Sequence, residues 1–267
     1  MNDTFLAGRT ALVTGGTSGI GLAIAEALAA AGCRVTINGL GDAAQIAAAL
    51  SGIQARGTLP ARHDPADLRD PEAIDAMMAR CAADGGVDIL VNCAGMQIAK
   101  PLEALPDGAW EAIIAVNLSA AYHSMRRALP AMAAKGFGRV VNIASVHGLV
   151  ASAGKAPYVA SKFGLVGLSK AVALEYAAAG SRESGGVTVN CICPGWVETP
   201  LIEPQIEARM AGGSRDDGVR ALLREKQPSL RMSRPEEIAD SVLWLCRREA
   251  HNLTGTTIAI DGAWTAQ

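Results

Sequence analysis

Tyr158 and Lys162 have the side-chain types and the spacing that proton exchange with an alcohol requires. They lie four positions apart within a helical pattern, so both side chains project from the same face of the helix, one turn apart. A free tyrosine has a pKa of about 10, and a nearby ammonium group stabilises the phenolate and lowers that pKa. The pair therefore predicts acid/base chemistry near neutral pH.

Two further polar residues complete the predicted catalytic group. Ser145 follows the apolar segment 139–143, where its hydroxyl could bond a substrate oxygen while Tyr158 transfers the proton. Asn117 is expected to hold a water molecule and to orient Lys162. Each residue taken alone has an ordinary explanation as a half-buried aromatic, a solvated charge, a helix cap or a helix kink. Their occurrence together after a nucleotide-binding turn favours catalysis.

That turn is the sequence TGGTSGIG at 14–21, which lies between the first apolar strand and the first helical segment. Glycines let the backbone approach a pyrophosphate, whose charge meets the free amides and positive end of the helix. A glycine-rich turn alone is weak evidence, because glycine also serves ordinary turns. Here its position between strand and helix favours phosphate binding. The predicted contacts are Gly15, Thr17, Ser18, Gly19, Ile20 and Gly21.

The end of the second predicted strand, residues 38–42, bears on the choice of coenzyme. The 2′-phosphate of NADP needs a nearby cation, whereas NAD is held through its free ribose hydroxyl. Neither Thr17 nor Ser18 is basic, and residues 38–42 include no Lys or Arg. NAD is therefore predicted, with Leu40 at the position that an acidic residue customarily takes beside the ribose.

Short apolar segments alternate with longer, Ala-rich segments of helical period along the 267 residues. This alternation is typical of repeated βα units and predicts an α/β fold with a parallel sheet in a single domain, 1–267. Residues 198–230 are charged and only partly periodic, and we expect them to form a mobile lid over the site. Strands are predicted near 9–14, 34–38, 57–62, 88–92, 139–144, 187–192 and 257–261. Helices are predicted near 20–31, 43–50, 71–83, 108–134, 157–178 and 235–247.

Composition narrows the possible functions. A formal net charge of -2 provides no polycationic field, so a nucleic-acid or anionic-membrane partner is not expected. No apolar run reaches the roughly 20 residues that span a bilayer. The six cysteines show neither a disulfide framework nor metal-ligand spacing, and no secretion signal opens the chain. A cytoplasmic protein with reduced thiols and no metal is expected.

The sequence resembles the short-chain dehydrogenase/reductase family over essentially its whole length. The motifs that carry the resemblance are TGGTSGIG at 14–21, NCAG at 92–95, Asn117, Ser145, YVASK at 158–162 and PGWVETP at 194–200. The resemblance implies a doubly wound, Rossmann-type sheet of about seven strands and, as the commonest assembly, a homotetramer. Cys93 departs from the family, which usually has a second Asn there; we expect the change to alter local packing only.

The same resemblance assigns further coenzyme contacts by position. Asp67 and Leu68 would flank the adenine. The adenosine ribose would be lined by Asn92, Ala94 and Gly95, and the nicotinamide ribose by Tyr158 and Lys162. The nicotinamide carboxamide would be held by Pro194, Gly195, Val197 and Thr199.

Four polar residues occur on segments expected to surround the nicotinamide: Gln97, His147, Lys155 and Gln205. Lys155 and His147 would form a cationic, hydrogen-bonding wall that suits a small carboxylate. A steroid or a long acyl chain would call for an apolar groove, which these residues do not supply. The alternative is that both lie on loops and face water.

The strings at 38–42, 147–152, 192–197, 225–230 and 261–265 are similar to a narrower family, the bacterial D-3-hydroxybutyrate dehydrogenases. This resemblance implies that the four polar residues bind a carboxylate, with Trp196 and Trp264 as apolar walls. It also implies reversible oxidation of (R)-3-hydroxybutyrate to acetoacetate. The loop Gly180–Gly186 is longer than expected, which concerns the assembly surface and not the chemistry.

Three other functions are considered. A dehydrogenase for a sugar, polyol or other small alcohol could use the same Gln and His side chains. A nucleotide-sensing binding protein is disfavoured, because binding alone does not need a phenolic acid/base such as Tyr158. A serine hydrolase is disfavoured because Ser145 lies in the string ASVHG and lacks the G-x-S-x-G elbow.

Overall fold

The computed structural model describes residues 4–266, so residues 1–3 and 267 of the predicted domain lie outside it. Strands and helices alternate along this range as predicted. The strands are β1 (Thr10–Thr14), β2 (Arg34–Asn38), β3 (Arg62–Asp64), β4 (Ile89–Asn92), β5 (Phe137–Ile143), β6 (Gly186–Pro194) and β7 (Thr257–Ile260). The helices are α1 (Gly19–Ala30), α2 (Ala43–Arg56), α3 (Pro71–Ala83), α4 (Ala109–Ile114), α5 (Ala120–Lys135), α6 (Ala156–Tyr176), α7 (Glu203–Glu207), α8 (Arg215–Lys226) and α9 (Pro235–Cys246).

The seven strands form one parallel sheet in the order β3-β2-β1-β4-β5-β6-β7. The strand order reverses between β1 and β4. At such a reversal the loops that follow the two strands turn to opposite faces of the sheet and leave a crevice at the carboxyl ends. The predicted α/β fold is confirmed, and its crevice lies next to the glycine-rich turn.

Helices cover both faces of the sheet. On one face, α1, α2 and α9 bury an aliphatic cluster against the strands. On the other face, α3, α5 and α6 bury a second cluster, which includes Cys191 and Cys193 side by side on β6, as their i,i+2 spacing predicts. None of the helices within residues 4–266 has the length and apolar character to cross a bilayer.

The prediction was wrong at α2 and β3. The helix, predicted to end at 50, continues to Arg56, and the strand predicted at 57–62 begins only at Arg62. Asp42 and Gln45 form a reciprocal capping box that starts the helix. The helix continues past position 50 because Ile53 is fully buried against the core, which outweighs the weak helix propensity of the residues before it.

The long helix predicted over 108–134 is divided. Between α4 and α5, residues Ala115–Ser119 form one wider π-helical turn. Such a turn inserts an extra residue into the helix and is frequent at functional sites. It contains Asn117, one of the predicted catalytic residues.

The predicted lid, residues 198–230, contains a short 3₁₀ turn, α7 and α8. Ion pairs link its parts, with Arg209 bound to Glu225 at 2.8 Å and Arg215 to Glu203 at 2.6 Å. Its apolar side forms a third cluster, separate from the two on the sheet. The buried members of this cluster are Val146, Trp196, Ile202, Ile206, Leu222, Leu223 and Trp264.

Candidate active site

A cavity of about 80 Å³ lies between the carboxyl ends of β5 and β6 and the helix α7. The parallel sheet brings these strand ends to one edge, and the lid closes the opposite side. The cavity wall includes all eight residues that the sequence analysis assigns to the substrate: Gln97, Ser145, His147, Lys155, Tyr158, Trp196, Gln205 and Trp264.

Ser145 and Tyr158 meet inside this cavity. Ser145 follows the end of β5 and begins a short turn, in which its hydroxyl oxygen accepts a hydrogen bond from the His147 backbone N–H at 3.2 Å. Tyr158 lies in the first turn of α6, which starts with Pro157 in a position that tolerates proline. The two side chains line the same cavity, and Ser145 is near enough to Tyr158 to lower the pKa of its hydroxyl. Both hydroxyl groups can therefore hydrogen-bond to the same substrate oxygen.

Lys162 lies one helical turn beyond Tyr158, as the spacing predicts. Its Nζ atom is 5.7 Å from the centre of the Tyr158 ring and donates a 2.8 Å hydrogen bond to the carbonyl oxygen of Ile143. That bond ties the ammonium group to the end of β5. The charge of Lys162 is thus fixed next to the phenol.

The protonation of this pair differs from the prediction. Burial raises the pKa of Tyr158, and the hydrogen bond from Ser145 offsets only part of that rise. Burial likewise lowers the pKa of Lys162. The expected lowering of the phenol's pKa is outweighed in the chain by itself, because loss of hydration acts against both charged forms. The Lys162 ammonium and the Tyr158 phenolate stabilise each other only when both charged forms are present.

Asn117 is fully enclosed, and its amide is already bonded. Its Oδ1 accepts from the Met96 N–H at 2.8 Å, and its Nδ2 donates to the Met96 carbonyl and to the Ser161 hydroxyl. Asn117 therefore fixes the loop after β4 to α6 and makes no direct bond to Lys162. A β-carbon on Gly95 would lie 3.6 Å from Asn117 Oδ1 and 3.7 Å from Lys162 Nζ, so the two residues flank this glycine. The expected water-mediated link between Asn117 and Lys162 stays a prediction.

The glycine-rich turn has the shape of a phosphate cradle. Gly15 has a φ of 67°, and a β-carbon there would lie 2.8 Å from the Cα of Ala94. Ser18, which precedes α1, makes no side-chain cap, so the first amides of α1 have no partner from that side chain. Thr199 lies against Gly19, where an added β-carbon would be 3.3 Å away. The turn fits a dinucleotide pyrophosphate, with Thr17, Ile20 and Gly21 along the same loop.

The adenosine end is open to solvent. The Leu40 side chain is 82% exposed beyond the end of β2, and its carbonyl accepts from the Thr17 hydroxyl at 2.8 Å. After β3, the Asp67 carboxylate pairs with Arg69 at 2.6 Å, beside the half-buried Leu68. The imidazole of His63 lies 2.9 Å from the carbonyl of Gly39, a neighbour that sequence reasoning missed.

Asn92 does not face this open end. Its amide donates to Asn142 Oδ1 at 2.7 Å, and its own Oδ1 accepts from the Ser124 hydroxyl at 2.8 Å, inside the core. Asn142 in turn donates to Ser169 at 2.7 Å. Only the backbone at Asn92 can line the adenosine ribose, because the side chain is committed to this network. Sequence reasoning missed the network, although the polar Asn142 within a strongly apolar strand was a usable signal.

The loop after β4 is shaped by the preceding strand. The Thr14 hydroxyl accepts from the backbone N–H groups of Cys93 and Ala94, at 3.1 and 3.2 Å. The Cys93 thiol is held in apolar surroundings, and burial raises its pKa to about 12. The replacement of the family's usual Asn thus leaves the backbone of the loop anchored through Thr14.

Lys155 forms one wall of the cavity together with the lid. Its Nζ donates to Gln205 Oε1 at 2.9 Å and lies 5.0 Å from the centre of the Trp196 ring. The Trp264 ring is tilted against Trp196, with ring centres 5.4 Å apart, and meets His147 edge to face at 5.5 Å. One buried cation therefore sits at the edge of an aromatic wall.

The two basic residues of the predicted wall differ in charge. Burial, with a smaller contribution from Lys155, lowers the pKa of His147 to about 4, so its imidazole is neutral at neutral pH. His147 Nδ1 faces the Val150 carbonyl at 3.3 Å, so Nδ1 carries the hydrogen and Nε2 is left as an acceptor. Burial lowers the pKa of Lys155 to about 8. The predicted cationic wall is corrected to a single cation, Lys155.

The nicotinamide contacts that the resemblance implies also reach this cavity. Pro194, Gly195, Val197 and Thr199 all line it, and Ile20 from the glycine-rich helix joins them. The phosphate cradle and the Ser145–Tyr158 pair are thus connected by one continuous surface. Among residues 4–266, no group of three or more His, Cys, Asp or Glu side chains is placed to hold a metal ion.

The chain is similar over nearly its whole length to known proteins. A "D-beta-hydroxybutyrate dehydrogenase" of Rhizobium meliloti is 45% identical over 97% of this chain and 99% of its own length. A protein of the same description from Cupriavidus necator is 46% identical over 98% of this chain and 100% of its own length. A Beutenbergia cavernae structure with bound NADP, proposed to be an NAD(P)-dependent gluconate 5-dehydrogenase, has a TM-score of 0.86 and 35% identity, covering 99% of this chain and 100% of that one.

The family profile described as short chain dehydrogenase matches residues 9–209. That range runs from β1 through α6, which carries Tyr158 and Lys162, into the segment 198–230. The chain therefore belongs to the short-chain dehydrogenase/reductase family, whose oxidoreductases use NAD or NADP.

Proposed function

We propose that this protein catalyses the NAD-dependent, reversible oxidation of (R)-3-hydroxybutyrate, or a closely related small 3-hydroxy acid, to the 3-oxo acid. The observation that carries the substrate proposal is the position of Lys155. Its ammonium is buried beside the Ser145–Tyr158 pair and bonds to the neutral amide of Gln205. No carboxylate within residues 4–266 lies at ion-pair distance from it. A buried cation whose direct hydrogen-bond partner is a neutral amide favours an acidic ligand.

Each polar residue then has a distinct part in the reaction. The bound coenzyme supplies the acceptor for the hydride that leaves the carbon bearing the hydroxyl group. Ser145 holds the substrate oxygen and Tyr158, as phenolate, takes its proton. Lys162 stabilises that phenolate by its charge, and Asn117 keeps the loop beside it in place. In the reverse direction Tyr158 returns the proton to the new alcohol.

The lining of the cavity supports a small polar substrate. It combines hydrogen-bonding groups with a few apolar side chains and offers no long apolar groove for an acyl chain. Lys155, Gln205 and Gln97 provide donors for the carboxylate, while Trp196 and Trp264 cover the apolar end. The relatives described as D-beta-hydroxybutyrate dehydrogenases support this choice.

NAD is the coenzyme that the sequence favours. Positions 38–42 carry no Lys or Arg to neutralise a 2′-phosphate, and Leu40 projects into solvent where such a phosphate would lie. The second candidate function is oxidation of a sugar acid or polyol, favoured by the structural similarity to the gluconate dehydrogenase with bound NADP.

Two further proposals concern the lid and the assembly of subunits. We expect residues 198–230 to open for substrate entry, and closure to form the bond between Lys155 and Gln205.

A cytoplasmic homotetramer is also proposed. The family resemblance suggests the tetramer, and the aromatic side chains of Tyr122 and Phe163 are exposed on α5 and α6, where a second subunit could cover them. The six cysteines without disulfides suggest the cytoplasm. Light scattering of the purified protein measures the assembly.

A panel of small 3-hydroxy acids of both hands, assayed with NAD and with NADP, tests the proposal. Formation of the reduced nicotinamide is followed by absorbance. We expect turnover with NAD and (R)-3-hydroxybutyrate, and little with the (S) form or with NADP. Turnover of gluconate or neutral polyols in preference to 3-hydroxy acids would overturn the substrate assignment.

A further inference from the structure

Gln227 is a buried polar residue outside the predicted catalytic and binding set. It caps the carboxyl end of the lid helix α8, where its backbone N–H bonds to the Leu223 carbonyl. Its side chain is only 2% exposed, and both ends of its amide are used. Oε1 accepts from the backbone N–H of Trp196 at 3.0 Å, and Nε2 donates to the carbonyl of Arg231.

These two bonds join three parts of the chain at the floor of the cavity. Trp196 follows β6, and its carbonyl is held from the other side by the Ser233 N–H at 2.9 Å. The position leaves no spare space, because a β-carbon on Gly195 would lie 2.6 Å from Gln227 Oε1 and 2.9 Å from the Cα of Asp261. The amide of Gln227 therefore fills a fitted slot between the lid and the end of β6.

The turn that follows Gln227 is strained and depends on the same residue. Leu230 has a φ of 51°, a left-handed conformation that is unfavourable for a residue with a β-carbon. Its N–H bonds to the Gln227 carbonyl at 2.9 Å, and the Gln227 side chain bonds to the next residue, Arg231. Strained turns persist only where surrounding bonds hold them, so Gln227 stabilises this base of the lid.

We propose that Gln227 is a positioning residue that fixes the backbone of Trp196 to the lid and thereby sets the width of the substrate cavity. Trp196 carries its indole between Lys155 and Trp264, so displacement of its backbone shifts the aromatic wall and the cation together. Gln227 lines none of the cavity itself. Its effect is thus on substrate fit and not on the chemical step. The choice of substrate for the test rests on the proposed function.

The test compares Gln227→Leu with Gln54→Leu, a control of the same chemistry at an exposed position on α2. In Gln227→Leu the Trp196 N–H and the Arg231 carbonyl lose their partners at constant side-chain size. We expect KM for (R)-3-hydroxybutyrate to rise by about tenfold or more, with kcat and the Kd of NAD changed by less than about threefold. Acrylamide should also quench the tryptophan fluorescence more strongly than in the control.

Gln227→Glu supplies a pH-dependent readout that a general loss of stability would not produce. A protonated carboxyl at this position can accept from Trp196 and donate to Arg231, whereas a carboxylate would face the Arg231 carbonyl. Burial should raise the pKa of the new group. KM relative to the wild type should therefore be near one at low pH and should increase with pH.

Unchanged KM and quenching in Gln227→Leu would overturn the proposal, as would a parallel loss of kcat, NAD binding and thermal stability. If Gln227→Leu does not fold, the pH series of Gln227→Glu decides, and a flat ratio of KM to wild type counts against the proposal. If the wild type does not oxidise the acid, the proposed function fails independently of the role proposed for Gln227. Acrylamide quenching of Gln227→Glu as a function of pH then still tests the role of Gln227.

Discussion

The ammonium group of Lys155, at the start of α6, lies 2.9 Å from the amide oxygen of Gln205 in the lid. This bond joins the catalytic helix to the segment that covers the cavity. An incoming carboxylate would offer Lys155 a charged acceptor in place of a neutral one, and hydrogen bonds to charged groups are the stronger. The same bond thus connects substrate charge to the position of the lid.

Replacement of Lys155 by Met keeps the length of the side chain and removes its charge. We expect kcat/KM for (R)-3-hydroxybutyrate to fall by about 100-fold, mostly through KM, because a charge-assisted bond to the carboxylate is lost. Steady-state kinetics with NAD measure the change. The control is Lys170→Met, which removes an exposed lysine from the same helix. Equal kinetics in the two variants would count against a carboxylate site at Lys155.

The binding of acids should depend on pH through Lys155. Its pKa is lowered to about 8 by burial, so the amine is charged below that pH and loses its proton above it. The inhibition constant of butyrate, which lacks the reactive hydroxyl, should be flat below about pH 8 and increase up to tenfold per unit above it. Lys155→Arg, which keeps its charge, should abolish the increase. An increase centred near about pH 6.5 would instead identify His147 as the cation and contradict its lowered pKa.

Tyr158 is predicted to exchange the proton. Tyr158→Phe should lower kcat by about three orders of magnitude while the Kd of NAD changes little, because only the hydroxyl is removed. Tyr176→Phe, at a half-buried tyrosine at the end of the same helix, is the matched control. Turnover above about a tenth of the wild-type rate in Tyr158→Phe would show that another group moves the proton.

The buried network around Asn142 should be important for stability. Asn142→Ala removes the acceptor of Asn92 and the donor to Ser169 within the core, so we expect the free energy of unfolding to fall by about 2–4 kcal/mol. Urea denaturation measures it, with the exposed Asn252→Ala as control. A loss below about 0.5 kcal/mol would mean that water replaces the missing groups without strain.

The sequence predicted the parts of the site that depend on spacing. Tyr158 and Lys162 share a helix face because they are four residues apart, and Ser145 reaches them because parallel strands end at one edge of the sheet. The glycine-rich turn was recognisable because positive φ and close approach leave few other residues possible at Gly15. The order and type of the elements followed from hydrophobic period.

Other features depend on tertiary neighbours and could not be predicted. The lowered pKa of His147 results from burial beside Tyr158 and Trp264, which no local pattern reports. The Asn92 side chain points into the core because it forms hydrogen bonds with Asn142 and Ser124 there. Gln227 looked like an ordinary lid residue, since its partners Trp196 and Arg231 are assigned only by the folded chain. The start of β3 was missed because Ile53 extends the preceding helix into the core.

In the proposed function, a buried ammonium selects an acid for oxidation at the Ser145–Tyr158 pair. The most direct measurement compares kcat/KM for (R)-3-hydroxybutyrate and for its methyl ester, with NAD as coenzyme. The two substrates share the reacting carbon and differ in the charge that Lys155 would meet. We predict a preference for the acid of about 100-fold or more. Equal or faster oxidation of the ester would contradict the account.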